Sequence, residues 1–259
     1  MNLLVFTKRV PATQEEELRI VDEGRTVDLS KVPFKLNDWD NYAVEEAVRV
    51  AEKTGGAVTA ISLGDAESDE VLRRAIAMGA RDGFLIESET VLHDPSSRAE
   101  LFRTFLQREA ISFDAIFTGV QSEDDQFASV GGILAAKLGL PYASMVIGLD
   151  NIEGRYVTCR RELEGGLQER IRVALPCVLS LQSGINEPRY VSIMGVRKAS
   201  KVERRRFKAA DYGGQGQAMI EVAGWTYPPK KGGATMLSAD LETSCKELLA
   251  ILKEKGVYQ

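Results

Sequence analysis

From residue 2 to about 140, short apolar runs alternate with stretches whose apolar positions recur at helical spacing, the pattern of a parallel sheet covered by helices. The runs read as strands over 2–7, 57–63, 83–87 and 114–119. Between the first two, apolar–polar alternation on both sides of Gly24, over residues 18–29, predicts a small hairpin inserted at the edge of the domain. The first helix begins near Asp38, with Asn37 or Asp38 as its N-cap, and sets Ala43, Val44, Ala47, Val48 and Ala51 in one stripe facing the sheet. In the second helix Asp69 with Arg73 and Glu70 with Arg74 are i,i+4 pairs, and Gly79 is the expected stop. Ser97-Arg-Ala-Glu100 has capping-box spacing and opens the third helix; the fourth covers about 126–138 and stops at Gly139.

Beyond Pro141 the helical spacing gives way to alternating runs at 143–149, 155–161, 168–174 and 177–182, with turns at Asn151, Gly154 and Gly165-Gly166. These predict antiparallel strands that extend the sheet. From about Gly213 the chain is rich in Gly and Pro, as in Tyr227-Pro-Pro-Lys-Lys-Gly-Gly233, before a helix around 238–255. The expected fold is therefore α/β, a parallel sheet flanked by helices, with an antiparallel strand extension and a C-terminal arm. Residues 1–212 form the nucleotide-binding domain in this reading. Residues 213–259 are either an arm that embraces a neighbour or a linker with a fraying helix.

With 259 residues and 44% hydrophobic content, the chain can bury a sizeable core. Its longest apolar runs are far shorter than the roughly 20 residues of a membrane-spanning helix. Insertion into a membrane is not expected, and the N-terminal run lacks the basic and apolar regions of a secretory signal. The cytoplasm or an equivalent reducing space is the expected location. Cys159, Cys177 and Cys245 are widely spaced and show no metal-binding grouping, so ordinary buried thiols are expected. The one histidine, His93, lies in a polar stretch beside Pro95 and reads as a loop residue. A net charge of −5 argues against a nucleic-acid partner.

Ligands of open α/β sheets bind beyond the carboxyl ends of the strands. The segments that reach that edge are Thr7-Lys-Arg-Val10, Asn37-Asp-Trp-Asp40, Leu63-Gly64 and the long loop from Gly119 to Gly132. The last runs from a strand into a helix start, where unpaired amides and the positive end of the dipole suit a phosphate. Ser129 offers a hydroxyl there, and Gly131 and Gly132 allow close approach. Glu123, Asp124 and Asp125 oppose this electrostatically, unless they cap the helix or accept ribose hydroxyls. No P-loop lysine and no G-x-G-x-x-G fingerprint is present. A plain strand–loop–helix connection stays open beside the nucleotide reading.

Several ordered motifs together resemble the β subunits of electron-transfer flavoproteins over nearly the whole chain. They are Lys8-Arg-Val10, Asn37 with Ala43-Val-Glu-Glu-Ala47, Ala75-Ile-Ala-Met-Gly-Ala80, Gly119-x-Gln121 with Asp124-Asp125 and Gly131, Arg161-Glu-Leu-Glu-Gly-Gly-Leu167, Leu175-Pro176 and Asn186-Glu-Pro-Arg-Tyr190. The resemblance implies an adenine nucleotide α-hydrolase-like fold. It also implies a heterodimer in which a larger α subunit holds most of a redox-active FAD. This chain would add a flavin wall at Thr13, Arg161 and Glu162, where Thr13 replaces a tyrosine of some members. It would bury a structural AMP against Phe6, Asn37, Asp38, Trp39, Asp40, Leu63, Gly119, Gln121, Ser122, Asp124, Asp125, Gln126, Phe127, Ala128, Ser129 and Val130. Electrons would arrive from a dehydrogenase, commonly an acyl-CoA dehydrogenase, and leave to a membrane quinone reductase.

Ala128, Ser129 and Val130 stand where AMP-binding members carry more polar residues. A bifurcating subset holds a second FAD in place of AMP and tends to carry Gly-Ala-Asp-Thr where this chain has His93-Asp-Pro-Ser-Ser-Arg98. That difference favours AMP, whereas Asp40, Ala128 and Val130 lean toward FAD. The stretch 189–206 matches the family's partner-docking segment, with Tyr190, Ile193, Met194, Arg197 and Lys198 as its contact residues and Ile193 as anchor. Burial of Ile193, Met194 and Val196 in a short helix, or a merely solvated basic face, are the competing readings. A stand-alone nucleotide-binding module needs neither the strand extension nor the arm, and an adenylating enzyme needs a pyrophosphate loop that Lys8-Arg-Val-Pro-Ala-Thr13 does not contain.

Overall fold

The structure, a computed structural model, describes residues 1–13, 18–90, 93–213, 218–229 and 232–257. It divides into two compact units, Met1–Gly224 and Trp225–Gln259. In the first unit the chain runs through β1 (Asn2–Thr7), β2 (Arg9–Pro11), β3 (Arg19–Val21), β4 (Thr26–Asp28), β5 (Phe34–Leu36), α1 (Asp38–Thr54), β6 (Ala57–Gly64), α2 (Asp69–Met78), β7 (Asp82–Glu87), α3 (Pro95–Arg108), β8 (Ala115–Gly119) and α4 (Val130–Leu138). It continues through β9 (Tyr142–Glu153), β10 (Tyr156–Glu162), β11 (Gln168–Ala174), β12 (Cys177–Leu181), α5 (Ile193–Ala199) and β13 (Arg205–Lys208).

Among the described residues, nine strands form one sheet in the order β11-β10-β9-β12-β8-β1-β6-β7-β13. The β-branched and aliphatic runs of β1, β6, β7 and β8 are buried on both faces, which is why they read as apolar stretches without alternation. Leu3 and Val5 face Ala43, Val44, Ala47 and Val48 of α1, while Leu4 and Phe6 face Phe102 and Phe105 of α3 and Leu134 of α4. The 18–29 hairpin is present as the antiparallel pair β3–β4, a sheet of its own.

Several expectations are corrected. The run 177–182 does not join the antiparallel extension: β12 lies inside the sheet, parallel to both β8 and β9. Its side chains Cys177 to Leu181 are all buried, as an interior parallel strand requires. Within the nine-stranded sheet the antiparallel extension consists, among the described residues, of β10 paired with β9 on one side and β11 on the other. The third helix starts earlier than a Ser97 cap predicts, because Asp94 Oδ2 accepts from Ser97 N at 2.8 Å and Pro95 opens the first turn. Glu100 instead bonds Arg103 and Lys137, which hold its carboxyl down to about 2. In α2 the Asp69–Arg73 pair forms at 3.3 Å, but Glu70 takes Arg9 at 2.7 Å in place of Arg74.

Burial pushes the Cys159 thiol up to about 11, with Asp150 nearby adding to it, and pushes Cys177 up to about 12. Both therefore stay protonated, while Cys245, expected inside, is exposed. In the second unit, residues 232–237 form no helix or strand before α6 (Leu241–Glu254), which Asp240 caps by accepting from Thr243 N at 2.9 Å. Leu241, Leu248 and Leu249 are exposed on α6. Residues 214–217, 230–231 and 258–259 of the predicted arm lie outside the described residues.

Gly131 sets how closely α4 approaches the sheet. A Cβ there would lie 2.3 Å from Ser180 Oγ and 2.9 Å from Thr118 Oγ1, hydroxyls that are themselves bonded at 2.8 Å. Gly131→Ala is expected to cost about 1–3 kcal/mol in urea denaturation. Adding Ser180→Ala to that variant should restore part of the loss; an unchanged midpoint for Gly131→Ala alone would contradict this packing.

Candidate functional site

The first turn of α1 fastens the loops at the carboxyl edge of the sheet. Asp40 is buried, and its Oδ2 accepts from Lys8 N at 2.8 Å while its Oδ1 accepts from Gly119 N at 3.1 Å. Two amides that leave the ends of β1 and β8 thus share one carboxyl. Asn37 holds the N-cap position but makes no side-chain cap. Its Nδ2 donates to Gln121 O at 2.9 Å, and its Oδ1 accepts from Glu123 N at 3.1 Å. Gly119 must be a glycine, since a Cβ would lie 2.5 Å from Asp40 Oδ1 and 2.7 Å from Trp39 Cβ. Burial pushes the Asp40 carboxyl up to about 7, against the bonds from Asn37, Lys8 N and Gly119 N.

The acidic run that follows is neutralised by side chains from elsewhere. Lys8 Nζ lies 2.6 Å from Asp124 Oδ1 and 2.9 Å from Asp125 Oδ2, and donates to Ser122 Oγ at 3.1 Å. Arg98 Nη1 also reaches Asp125 Oδ2 at 2.6 Å. Although burial opposes the charge on Asp125, Lys8, Arg98 and the Ser122 hydroxyl hold its carboxyl well below the usual range. Lys35 Nζ bridges Asp38 at 2.9 Å and Glu123 at 3.0 Å. Burial and then Asp38 still raise the Glu123 carboxyl, with Lys35 opposing them. The acids neither cap a helix nor stand as free charge.

The fourth helix begins at Val130, not near 126, because Gln126 and Ala128 adopt left-handed backbone angles. Ser129 occupies the N-cap position without a side-chain cap bond, so among the described residues the first turn of α4 has no side-chain cap. Phe127 is exposed beside it, with its amide donating to Asp125 Oδ1 at 3.3 Å. Asn37, Asp38, Asp40, Gly119, Gln121, Ser122, Asp124, Asp125 and Phe127 are thus linked through one network. Phe6 stands apart, since its ring packs against that of Phe102, tilted by 47° with centroids 4.3 Å apart, inside the core, while Leu63 is partly buried at the end of β6.

Of the predicted flavin-wall residues, Arg161 and Glu162 are neighbours at the end of β10. Thr13 is exposed beyond β2, and among the described residues no hydrogen bond or ion pair joins it to Arg161 or Glu162. Arg161 pairs with Glu169 at 3.6 Å. Glu162 borders an open depression of about 500 Å³ lined also by Arg160, Leu167, Gln168 and Ser183. Gln182 links the first turn of α1 to the end of β10: its Oε1 accepts from Trp39 Nε1 at 2.8 Å and its Nε2 faces Glu162 Oε2 at 3.4 Å.

In the segment 189–206, Tyr190 is 91% exposed, Ile193 74% and Met194 64%, so the apolar tip of α5 is not core. Ser192 caps α5 through Gly195 N at 3.1 Å, and Arg197 and Lys198 lie in its last turn. The basic run beyond divides from the tip, because Arg204 pairs with Asp69 at 2.5 Å and Arg206 with Glu87 at 2.5 Å, and β13 closes the sheet beside β7. Sequence reasoning missed Lys35, Arg98 and Gln182 as site neighbours; Arg98 and Gln182 meet partners far away along the chain, and Lys35 reaches Glu123 as well as the nearby Asp38, whose i,i+3 spacing was the one local signal.

The electron transfer flavoprotein domain profile matches residues 25–212. The chain is 33% identical over 264 residues to the electron transfer flavoprotein subunit beta of Methylophilus methylotrophus, covering 98% of each. It is 31% identical to that of Bacillus subtilis and 32% identical to the mitochondrial subunit of Arabidopsis thaliana, covering 99% of each chain in both cases.

An unfolded Asp40 loses its proton near 3.8 and the native one near 7. Between those values the native state binds the proton more firmly, so this group's contribution to stability falls as pH rises. Asp40→Asn should remove that fall in urea titrations across the window. It should also destabilise by about 1–3 kcal/mol at its acidic end, because an amide offers only one acceptor to the two N–H groups. An unaltered pH slope would refute the role of burial.

Proposed function

This chain belongs to the electron transfer flavoprotein family as a subunit of the beta type, and from that premise we propose that it is the smaller half of an electron carrier, not a catalyst. Its larger partner, the α subunit, holds most of an FAD, which supplies the oxidation and reduction when bound. Thr13, Arg161 and Glu162 face that flavin, and the arm over 213–259 packs on the α subunit. Electrons come from a dehydrogenase, in the first instance an acyl-CoA dehydrogenase, and pass to a membrane quinone reductase. The working compartment is reducing, as the cytoplasm is.

In this reading the crevice at the edge of β1 and β8 holds an AMP as a structural element. The observation that carries it is the first turn of α4, whose N-cap Ser129 makes no side-chain cap bond among the described residues, next to an acidic run paired with Lys8, Lys35 and Arg98. Such a terminus suits a phosphate through backbone amides, so the weak side chains of Ala128 and Val130 are no obstacle. Asp40 leaned toward a second flavin in the sequence. Here it is buried and directs both oxygens to backbone amides, which favours the mononucleotide.

Ile193 enters a pocket of the dehydrogenase, with Tyr190 and Met194 beside it and Arg197 and Lys198 steering the encounter. Coexpression with the α subunit should give a yellow heterodimer that releases one FAD and one AMP on denaturation, about one of each per pair. Two FAD and no AMP would transfer the protein to the bifurcating type. Ile193→Ala should slow reduction by the dehydrogenase about tenfold while nucleotide content stays the same. Unaltered kinetics would reject the anchor.

A further inference from the structure

The segment that leads into α5 is fastened to α1 by carboxylates that are almost wholly buried, Glu45 at 4% exposure and Glu46 at 8%. Glu45 Oε2 accepts from Arg189 N at 3.0 Å and from Arg189 Nε at 2.9 Å, and Glu45 Oε1 accepts from Nη2 at 3.2 Å. The other side of the same guanidinium donates to Glu52, at 2.9 Å from Nη1 and 3.3 Å from Nη2. Glu46 Oε2 accepts from Asn186 Nδ2 at 2.9 Å, and that amide also donates to Tyr42 O at 3.1 Å. The bonds to Glu52 and Glu45 hold the Arg189 proton more firmly than usual. Behind the guanidinium, a Cβ on Gly79 would come within 2.8 Å of Val48 Cγ1 and 3.6 Å of Arg189 Nη1, so the end of α2 closes the socket.

Stability alone does not account for this arrangement. An apolar cluster of equal volume stabilises a fold as well as a buried ion pair or better, because the charges must first leave water. What the bonded pair supplies is a single geometry: the planar fork of Arg189 fits two carboxylates in one orientation, and its own backbone N–H is tied to the same Glu45. Only Tyr190, Val191 and Ser192 separate this fixed point from Ile193. On the other flank Arg204 bonds Asp69 and β13 joins the sheet. The exposed tip therefore stands between two anchored ends.

We propose that Glu45 is a positioning residue for partner docking: acting through Arg189, it fixes where the Ile193–Met194 tip stands relative to α1. The same helix carries Asn37 and Asp40, so docking tip and nucleotide crevice are registered on one rigid element. The inference rests on the docking role of Ile193 proposed above.

The test uses the heterodimer with its α subunit, reduced by a substrate-loaded acyl-CoA dehydrogenase, in wild-type, Glu45→Gln, Glu45→Asp and Ile193→Ala forms. Glu52→Gln, at an exposed carboxylate, replaces Glu45→Gln should the latter fail to fold. Glu45→Gln should raise KM for the dehydrogenase roughly tenfold with kcat and nucleotide content unchanged, and Glu45→Asp should recover part of it. Without any partner, tryptic cleavage after Arg197 and Lys198, followed by mass spectrometry, should quicken several-fold. A purely structural role predicts lower thermal stability and lost nucleotide without a selective rise in KM, and that result would overturn the proposal. So would an unchanged KM for Glu45→Gln alongside a raised one for Ile193→Ala. Should Ile193→Ala itself leave KM unchanged, the docking role fails, and the tryptic rate decides by itself whether Glu45 holds the segment.

Discussion

Backbone amides at the end of a parallel strand have lost their ladder partners and need others if they are to be buried. In this chain the first turn of α1 supplies them. Asp40 takes the amides of Lys8 and Gly119, and Asn37 takes both a donor and an acceptor of the loop that follows β8. The carboxyl edge of the sheet is thereby drawn around one helix end. Gly119 follows from it, since nothing larger fits between Asp40 and Trp39.

The charge pattern depends on the same frame. Once Asn37 has fixed the path of residues 121–123, Asp124 and Asp125 fall beside Lys8 and Arg98, and Glu123 beside Lys35. Paired in this way, the run no longer opposes an anion at α4. Further along α1, Glu45, Glu46 and Glu52 do for the 186–190 segment what Asn37 and Asp40 do for the loops after β1 and β8. Two motifs far apart in sequence, Ala43-Val-Glu-Glu-Ala47 and Asn186-Glu-Pro-Arg-Tyr190, are thus the two halves of one contact.

Local signals hold where a single element contains its own reason. The buried stripe of α1, the glycine stops at Gly79 and Gly139 and the hairpin around Gly24 depend on near neighbours only. They fail where a side chain has a distant option. Ser97-Arg-Ala-Glu100 has capping-box spacing, yet Asp94 binds Ser97 first and Glu100 turns to Arg103 and Lys137. Glu70 prefers Arg9 to the arginine one turn away. The run 177–182 reads as part of the antiparallel extension, but its five buried side chains need a place inside the sheet.

Sequence by itself determined the α/β class, the helical faces and the family, because periodicity and ordered motifs are properties of the chain alone. It also marked the segments that meet at the sheet edge and the stretch whose apolar tip, Tyr190, Ile193 and Met194, is exposed. Only the tertiary structure decided that the acids of the loop are paired, that Asp40 and Asn37 bond backbone groups of the loops after β1 and β8, and that β12 is an interior strand. Each of these depends on which distant charge or amide comes within about 3 Å, a distance set by packing and invisible in any local pattern.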